Sequence, residues 1–264
     1  MGLFNILKRK EEPLYLDCYT DSHYAYNYAK IDYGSSYFPE WWKAEKGVSS
    51  GGTKSIKHCR AFMDFYSKGI VIPLWGEVEI VVNPLGYKGD IYRWRSSNRD
   101  FDLHSTNHAK FQWSGFGSDN LFNVKFKSPW LFKMKELVHF AWTQPTWSHP
   151  NTFNSLINLP GVVEYKTQQS TPINFVVEQK EEEQKFNLPP LTPIVVHHAM
   201  TERPIKIRNH LVSKKTFTHL NQRSGGMLLD VSHQNALNPR EKGMYKRKQE
   251  FWEKADELNK CPFK

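Results

Sequence analysis

Between Ile70 and Ser213 apolar and polar residues alternate with a period close to two. The runs Val78 to Val82, Ile91 to Trp94, Leu121 to Phe126, Leu137 to Trp142, Ile173 to Val177, Pro193 to His197 and Ile205 to Val212 are rich in Val, Ile, Phe and Trp. Branched and aromatic side chains fit a pleated, half-buried surface, so each run predicts a short strand. Many short strands separated by turn residues predict a mainly β core, either a β-sandwich or a jelly roll of the double-stranded β-helix kind. The acidic run Glu178 to Glu183 falls between two strand candidates and reads as an exposed hairpin loop.

The flanks carry a different period. Residues 13–69 read as mixed α/β: Leu14 to Tyr19 alternates as a strand, and Tyr24 and Tyr28 are spaced as on a helix between Asp21 and Lys30. Pro39 opens a short helix over Glu40 to Glu45, because proline's missing N–H has no partner in a first turn. Ile56, Cys59, Phe62, Met63 and Tyr66 recur as one face of a second helix that Gly69 stops, which turns Cys59 to the core. From Lys214 the chain reads as polar loop up to Pro239. Glu241 to Lys260 then predicts a C-terminal helix striped by Tyr245, Phe251, Trp252, Ala255 and Leu258. The whole, 1–264, reads as a single domain with a β core over 70–213, since a chain of this length can bury one large core.

Composition narrows the classes. A tenth or more of the chain is aromatic, 14%, which excludes a disordered polymer. Cys18, Cys59 and Cys261 form no Cys-x-x-Cys pair, so they predict free thiols in a reducing compartment, not a zinc ribbon or disulfide framework. No apolar run approaches the ~20 residues that cross a bilayer, and a cytoplasmic protein is the expectation. Met1-Gly2 suggests myristoylation until Ile6, where that pattern requires Ser or Thr. The net charge of +9 favours acidic partners, nucleic acid among them, although the basic residues are spread along the chain.

Candidate chemistry is sparse. No phosphate-cradling glycine motif and no Gly-x-Ser-x-Gly elbow occurs. A jelly roll raises the question of an Fe(II)-type site built from two His and one carboxylate. The residues that offer those ligand types are Asp102, His104 and His108, with His197 or His198 as a distant third ligand, but no His has an acid two positions later. In Tyr92-Arg93-Trp94-Arg95 a strand would present two rings on one face and two cations on the other. Stacking platforms for single-stranded nucleic acid pair rings with cations in this way, and so do ordinary half-buried strands. Trp41-Trp42 and Trp142 to Trp147 are further aromatic groups that would mark a contact if exposed and core if buried.

Phe38-Pro39-Glu40-Trp41-Trp42-Lys43, Ile56-Lys57-His58-Cys59, Gly69 to Trp75, Ser128-Pro129-Trp130 and the ending from Phe251-Trp252 to Cys261-Pro262-Phe263 resemble a protein family of tailed phages of marine bacteria. The resemblance runs through most of the chain and brings no catalytic residues with it. It implies synthesis in a host cytoplasm and a role in the virion or against the host. The expectation is a non-enzymatic β-module that binds a viral or host protein and needs no cofactor. The alternatives are a metal-dependent double-stranded β-helix enzyme and a single-stranded nucleic-acid binder.

Overall fold

The computed structural model describes residues 12–48, 51–98, 120–145, 155–168, 170–171 and 173–224. In chain order the strands are β1 (Leu14–Thr20), β2 (Asp32–Tyr33), β3 (Ile70–Pro73), β4 (Val78–Val82), β5 (Tyr92–Ser96), β6 (Leu121–Phe126) and β7 (Leu131–Lys133). They continue as β8 (His139–Thr143), β9 (Leu156–Asn158), β10 (Gly161–Glu164), β11 (Ile173–Glu178), β12 (Gln184–Leu188), β13 (Pro193–Ala199) and β14 (Ile205–Leu211). The helices are α1 (His23–Tyr28), α2 (Glu40–Ala44), α3 (Arg60–Lys68) and α4 (Lys214–Ser224). The expected strand runs all become strands, and the fold is mainly β.

Four sheets form, in the orders β14-β1-β7, β10-β8-β13-β3-β2, β6-β11-β9 and β12-β4-β5. Their period-two patterns decide what each buries. Leu14, Leu16 and Cys18 alternate inward on β1, and Ile70, Ile72, Ile80, Phe126, Phe140, Phe175, Phe186 and Val195 do so on the others, making one core to which all four sheets contribute. No barrel closes among the described residues, so the architecture is of β-sandwich type. The first and last strands of this unit, β1 and β14, pair in parallel over seven residues, Leu14 to Thr20 against Ile205 to Leu211. Trp130, fully buried, donates from Nε1 to the carbonyl of Ala29 at 3.1 Å and ties the segment after α1 to the same core.

The described residues fall in two compact units that part between Ser213 and Lys214. The second contains α4, where loop is expected from sequence. Thr216, Thr218 and His219 lower helix propensity, and a single apolar pair, Phe217 and Leu220 at i, i+3, marks the helix. The expected helix over Glu241 to Lys260, with Cys261, lies outside the described residues.

Two further expectations are corrected. Glu178 to Glu183 is exposed but is no hairpin: β11 pairs with β6 and β9, while β12 pairs with β4, so the acidic run crosses between sheets. Cys59 is exposed, not core-facing. A 3-10 turn over Ile56–His58 ends at Cys59, whose extended backbone at φ −76° and ψ 101° precedes α3, so the spacing of a continuous helix does not reach it.

Candidate functional site: an aromatic face and two polar clusters

The five-stranded sheet has two dressed faces. Cross-strand neighbours share a face, and the register pairs His197 with Trp142 and Ile70 while pairing His198 with Ala141. Consecutive residues of β13 therefore point to opposite sides.

On the core side, His197 sits among Phe132, Phe140, Trp142 and Tyr165, with ring centroids 5.8 to 6.5 Å away. Its Nε2 lies 2.9 Å from the Tyr165 hydroxyl and 3.1 Å from Oγ1 of Thr171, and those two hydroxyls bond each other. Burial drives the imidazole pKa down to about 3, the neighbouring His198 adds to this, and a hydrogen bond to the Ile70 backbone opposes it. Burial likewise pushes the Tyr165 phenol far up. Tyr165, Thr171 and His197 each have a hydrogen-bond partner and are buried, which makes this cluster a neutral core network.

On the other side, Val71, Val196 and Tyr66 form a small second core capped by Tyr37, Phe38 and Phe62. The residues responsible are those whose spacing announced helices. Trp42 and Phe62 stack at 5.3 Å, Phe38 stacks on Trp42 at 5.2 Å, Phe62 meets Tyr66 edge-on at 4.3 Å, and Phe65 meets Tyr66 at 5.0 Å. Phe65 then lies over His198, 4.1 Å between centroids. Burial lowers the His198 pKa, and its Nε2 is buried with no hydrogen-bond partner among the described residues. Lys57 reaches over the Trp42 ring at 5.9 Å. This train of rings pins α2 and α3 to the sheet and holds Trp41, edge-on to Trp42 at 5.6 Å, with 47% of its surface exposed. Phe65, Ile56 and Val48 are exposed to 40%, 46% and 49% on the same segment.

A second polar cluster joins β1 to β14. Asp17 accepts from Nε and Nη2 of Arg208, both at 2.6 Å, and from Nε2 of His210 at 2.7 Å. Burial alone would raise the Asp17 carboxyl; the bonds from His210 and Arg208 and the guanidinium charge outweigh it and hold the pKa below the usual value. Sequence reading passed over this cluster because its partners lie 191 residues apart. Two signals were present: Asp17 interrupts an otherwise apolar strand, and Arg208 and His210 share one face of β14.

Tyr92 packs against the core and stacks on Phe122 at 5.7 Å, and Trp94 shares its face, more than a third exposed. Arg93 and Arg95 point the other way, as the alternation predicts. Arg93 donates to Asn83 and to Glu183 at 3.0 Å, and Arg95 pairs with Glu79, which Lys185 also holds. The two rings and the two cations thus face opposite sides, and the cations are matched by carboxylates. Of the metal-ligand candidates, Asp102, His104 and His108 lie outside the described residues; His197 and His198 are 180° apart in facing. Among the described residues no three metal-ligating side chains gather, and no helix is long and apolar enough to cross a membrane. No protein-family profile, curated protein or solved structure matches the chain.

Proposed function

We propose that this chain is a phage-encoded, non-enzymatic β-module that binds a protein partner, viral or host, through the α2–α3 face, in the host cytoplasm or on the virion. One observation carries the reading: Trp41 is half exposed while held edge-on against Trp42, which is buried within the ring train. A rigid, exposed Trp loses little conformational freedom on binding and is the residue type that most often anchors an interface. The segment from Glu40 to Lys68 carries six cations against three acids, Glu40, Glu45 and Asp64; Lys43, Arg60 and Lys68 are ion-paired, and Lys46, Lys54 and Lys57 have no ion pair among the described residues. A partner segment with apolar anchors bordered by Asp or Glu complements that surface, and rim charges of this kind speed and orient encounter. The resemblance to tailed-phage proteins supports a role of this kind.

The test is photo-crosslinking in infected cells with a crosslinking residue in place of Val48, 49% exposed on the same segment with Trp41 left intact, and a control at Leu137, which is 60% exposed. A single protein crosslinked from position 48 and absent from position 137 is the expected result. Equal crosslinking from both positions, or none from 48, would remove the reading.

A further inference from the structure

Strand β13 turns His197 to the core and His198 to the underside of α3. The Nε2 of His197 lies against two hydroxyls, whereas the buried Nε2 of His198 has no hydrogen-bond partner among the described residues. Phe65 covers the His198 ring at 4.1 Å and 30°. The end of α3 sits on it as closely: a Cβ added at Gly69 would stand 3.0 Å from Cε1 of His198 and 2.3 Å from Cγ1 of Val196. The imidazole is thus part of the floor on which the last turn of α3 rests.

A neutral imidazole suits that position, because it can carry its hydrogen on Nδ1 and turn a bare Nε2 inward. An imidazolium does not, since the second proton makes Nε2 a donor that no described residue accepts from. The Phe65 ring face attracts a cation, but a buried charged donor without an acceptor costs more, and burial holds the His198 pKa down. Nearby charge gives no relief. The charged or titratable groups of the elements packed on this ring are Arg60, Asp64, Tyr66 and Lys68 of α3, His139 of β8 and, on the reverse of β13, His197; β3 carries none. Asp64, the one carboxylate in that set, is engaged by Arg60 and Lys68.

We propose that His198 is an acid-sensitive latch: when its ring takes up a proton, α3 lifts off the sheet before the core unfolds. Proton uptake is favoured in the lifted state, where the ring is hydrated and its pKa returns toward 6.5. Docking is therefore complete above that value and weakens as pH falls through it, by up to about tenfold per pH unit. The lifting stands by itself; its consequence, release of a partner by acid, rests on the reading of the α2–α3 face as a binding surface. The test is amide exchange of the full chain at pH 7 and pH 5, corrected for intrinsic exchange, with the β1 amides as the measure of global opening. Phe62 to Lys68 should lose about tenfold protection beyond any loss in β1. His198→Gln and His198→Leu, which cannot titrate, should abolish that excess, and His139→Gln, exposed on β8, should keep it. In wild type the midpoint of the excess should coincide with the NMR titration of the His198 ring, a comparison that carries the test if neither variant folds. Protection in α3 that follows β1 at both pH values, a midpoint apart from that titration, or an excess that persists in either variant overturns the latch. An α3 that lifts in acid while a captured partner stays bound would instead remove the α2–α3 face as the binding surface and leave the latch standing.

Discussion

His197 is a base without a carboxylate. Its pKa in the fold, about 3, lies below its ordinary value of 6.5, so the native state holds it neutral while the unfolded chain takes up a proton between those limits. Its contribution is complete above pH 6.5 and is lost as pH falls, at up to about 1.4 kcal/mol per pH unit. Asp17, whose pKa is depressed, acts in the same direction further down, losing its contribution as pH falls below the ordinary carboxylate value. Urea unfolding of wild type from pH 7 to pH 4 should show this steep decline. His197→Phe should be less stable at pH 7, by about 1–3 kcal/mol for the lost network, yet flatter across that range. An equally steep decline in the variant would move the acid sensitivity elsewhere. Leu191 offers a simpler case, since it adopts φ 66° and is largely exposed. A left-handed backbone costs a branched residue about 1–2 kcal/mol, so Leu191→Asn should raise the urea midpoint. Which histidine faces the core was not legible in the sequence: a His in an apolar run looks the same whether it faces a core of rings or, as His198 does, the underside of a helix.

Elements were legible where local pattern decides them. The runs at Val78, Leu121, Ile173 and Ile205 became strands, because short runs rich in branched and aromatic residues and bounded by turn residues have few other solutions. Partners were not legible, since pairing is set by burial of the whole sheet; this is why the acidic run looked like a hairpin and why the parallel β1·β14 pair went unseen. Short strands such as Leu131–Lys133 and Leu156–Asn158 hold too few residues to show any period. The helical segment before the core depends on one close approach. A Cβ at Gly34 would stand 1.9 Å from the carbonyl oxygen of Tyr66, at the end of the ring train, where the backbone cannot yield cheaply. Gly34→Ala should cost about 1–3 kcal/mol by overpacking and loosen α3, seen as faster amide exchange from Phe62 to Tyr66. Trp42→Ala should cost about 3–5 kcal/mol, whereas Trp41→Ala, beside it, should change stability by no more than about 0.5 kcal/mol. Similar losses at both positions would show that Trp41 is a core residue.

At the scale of the molecule, four sheets around one core make a rigid support, and the features left over lie on its outside. Net charge and scattered basic residues suggested acidic partners in general. The structure sorts those cations into ones matched by acids, at Lys43, Arg60, Lys68, Arg93, Arg95 and Arg208, and ones without an ion pair among the described residues, at Lys46, Lys54 and Lys57. Whole-molecule charge could not distinguish the two, because pairing is a property of the fold. The most direct measurement is parallel affinity capture from infected cells with wild type, the double variant Trp41→Ser with Ile56→Ser, and a control, Leu137→Ser, each first shown to unfold at the same midpoint. The predicted result is one protein retained by wild type and control, lost with the double variant, and rebinding purified wild type in isolation. A captured set indifferent to Trp41 and Ile56 would contradict the α2–α3 face as the working surface.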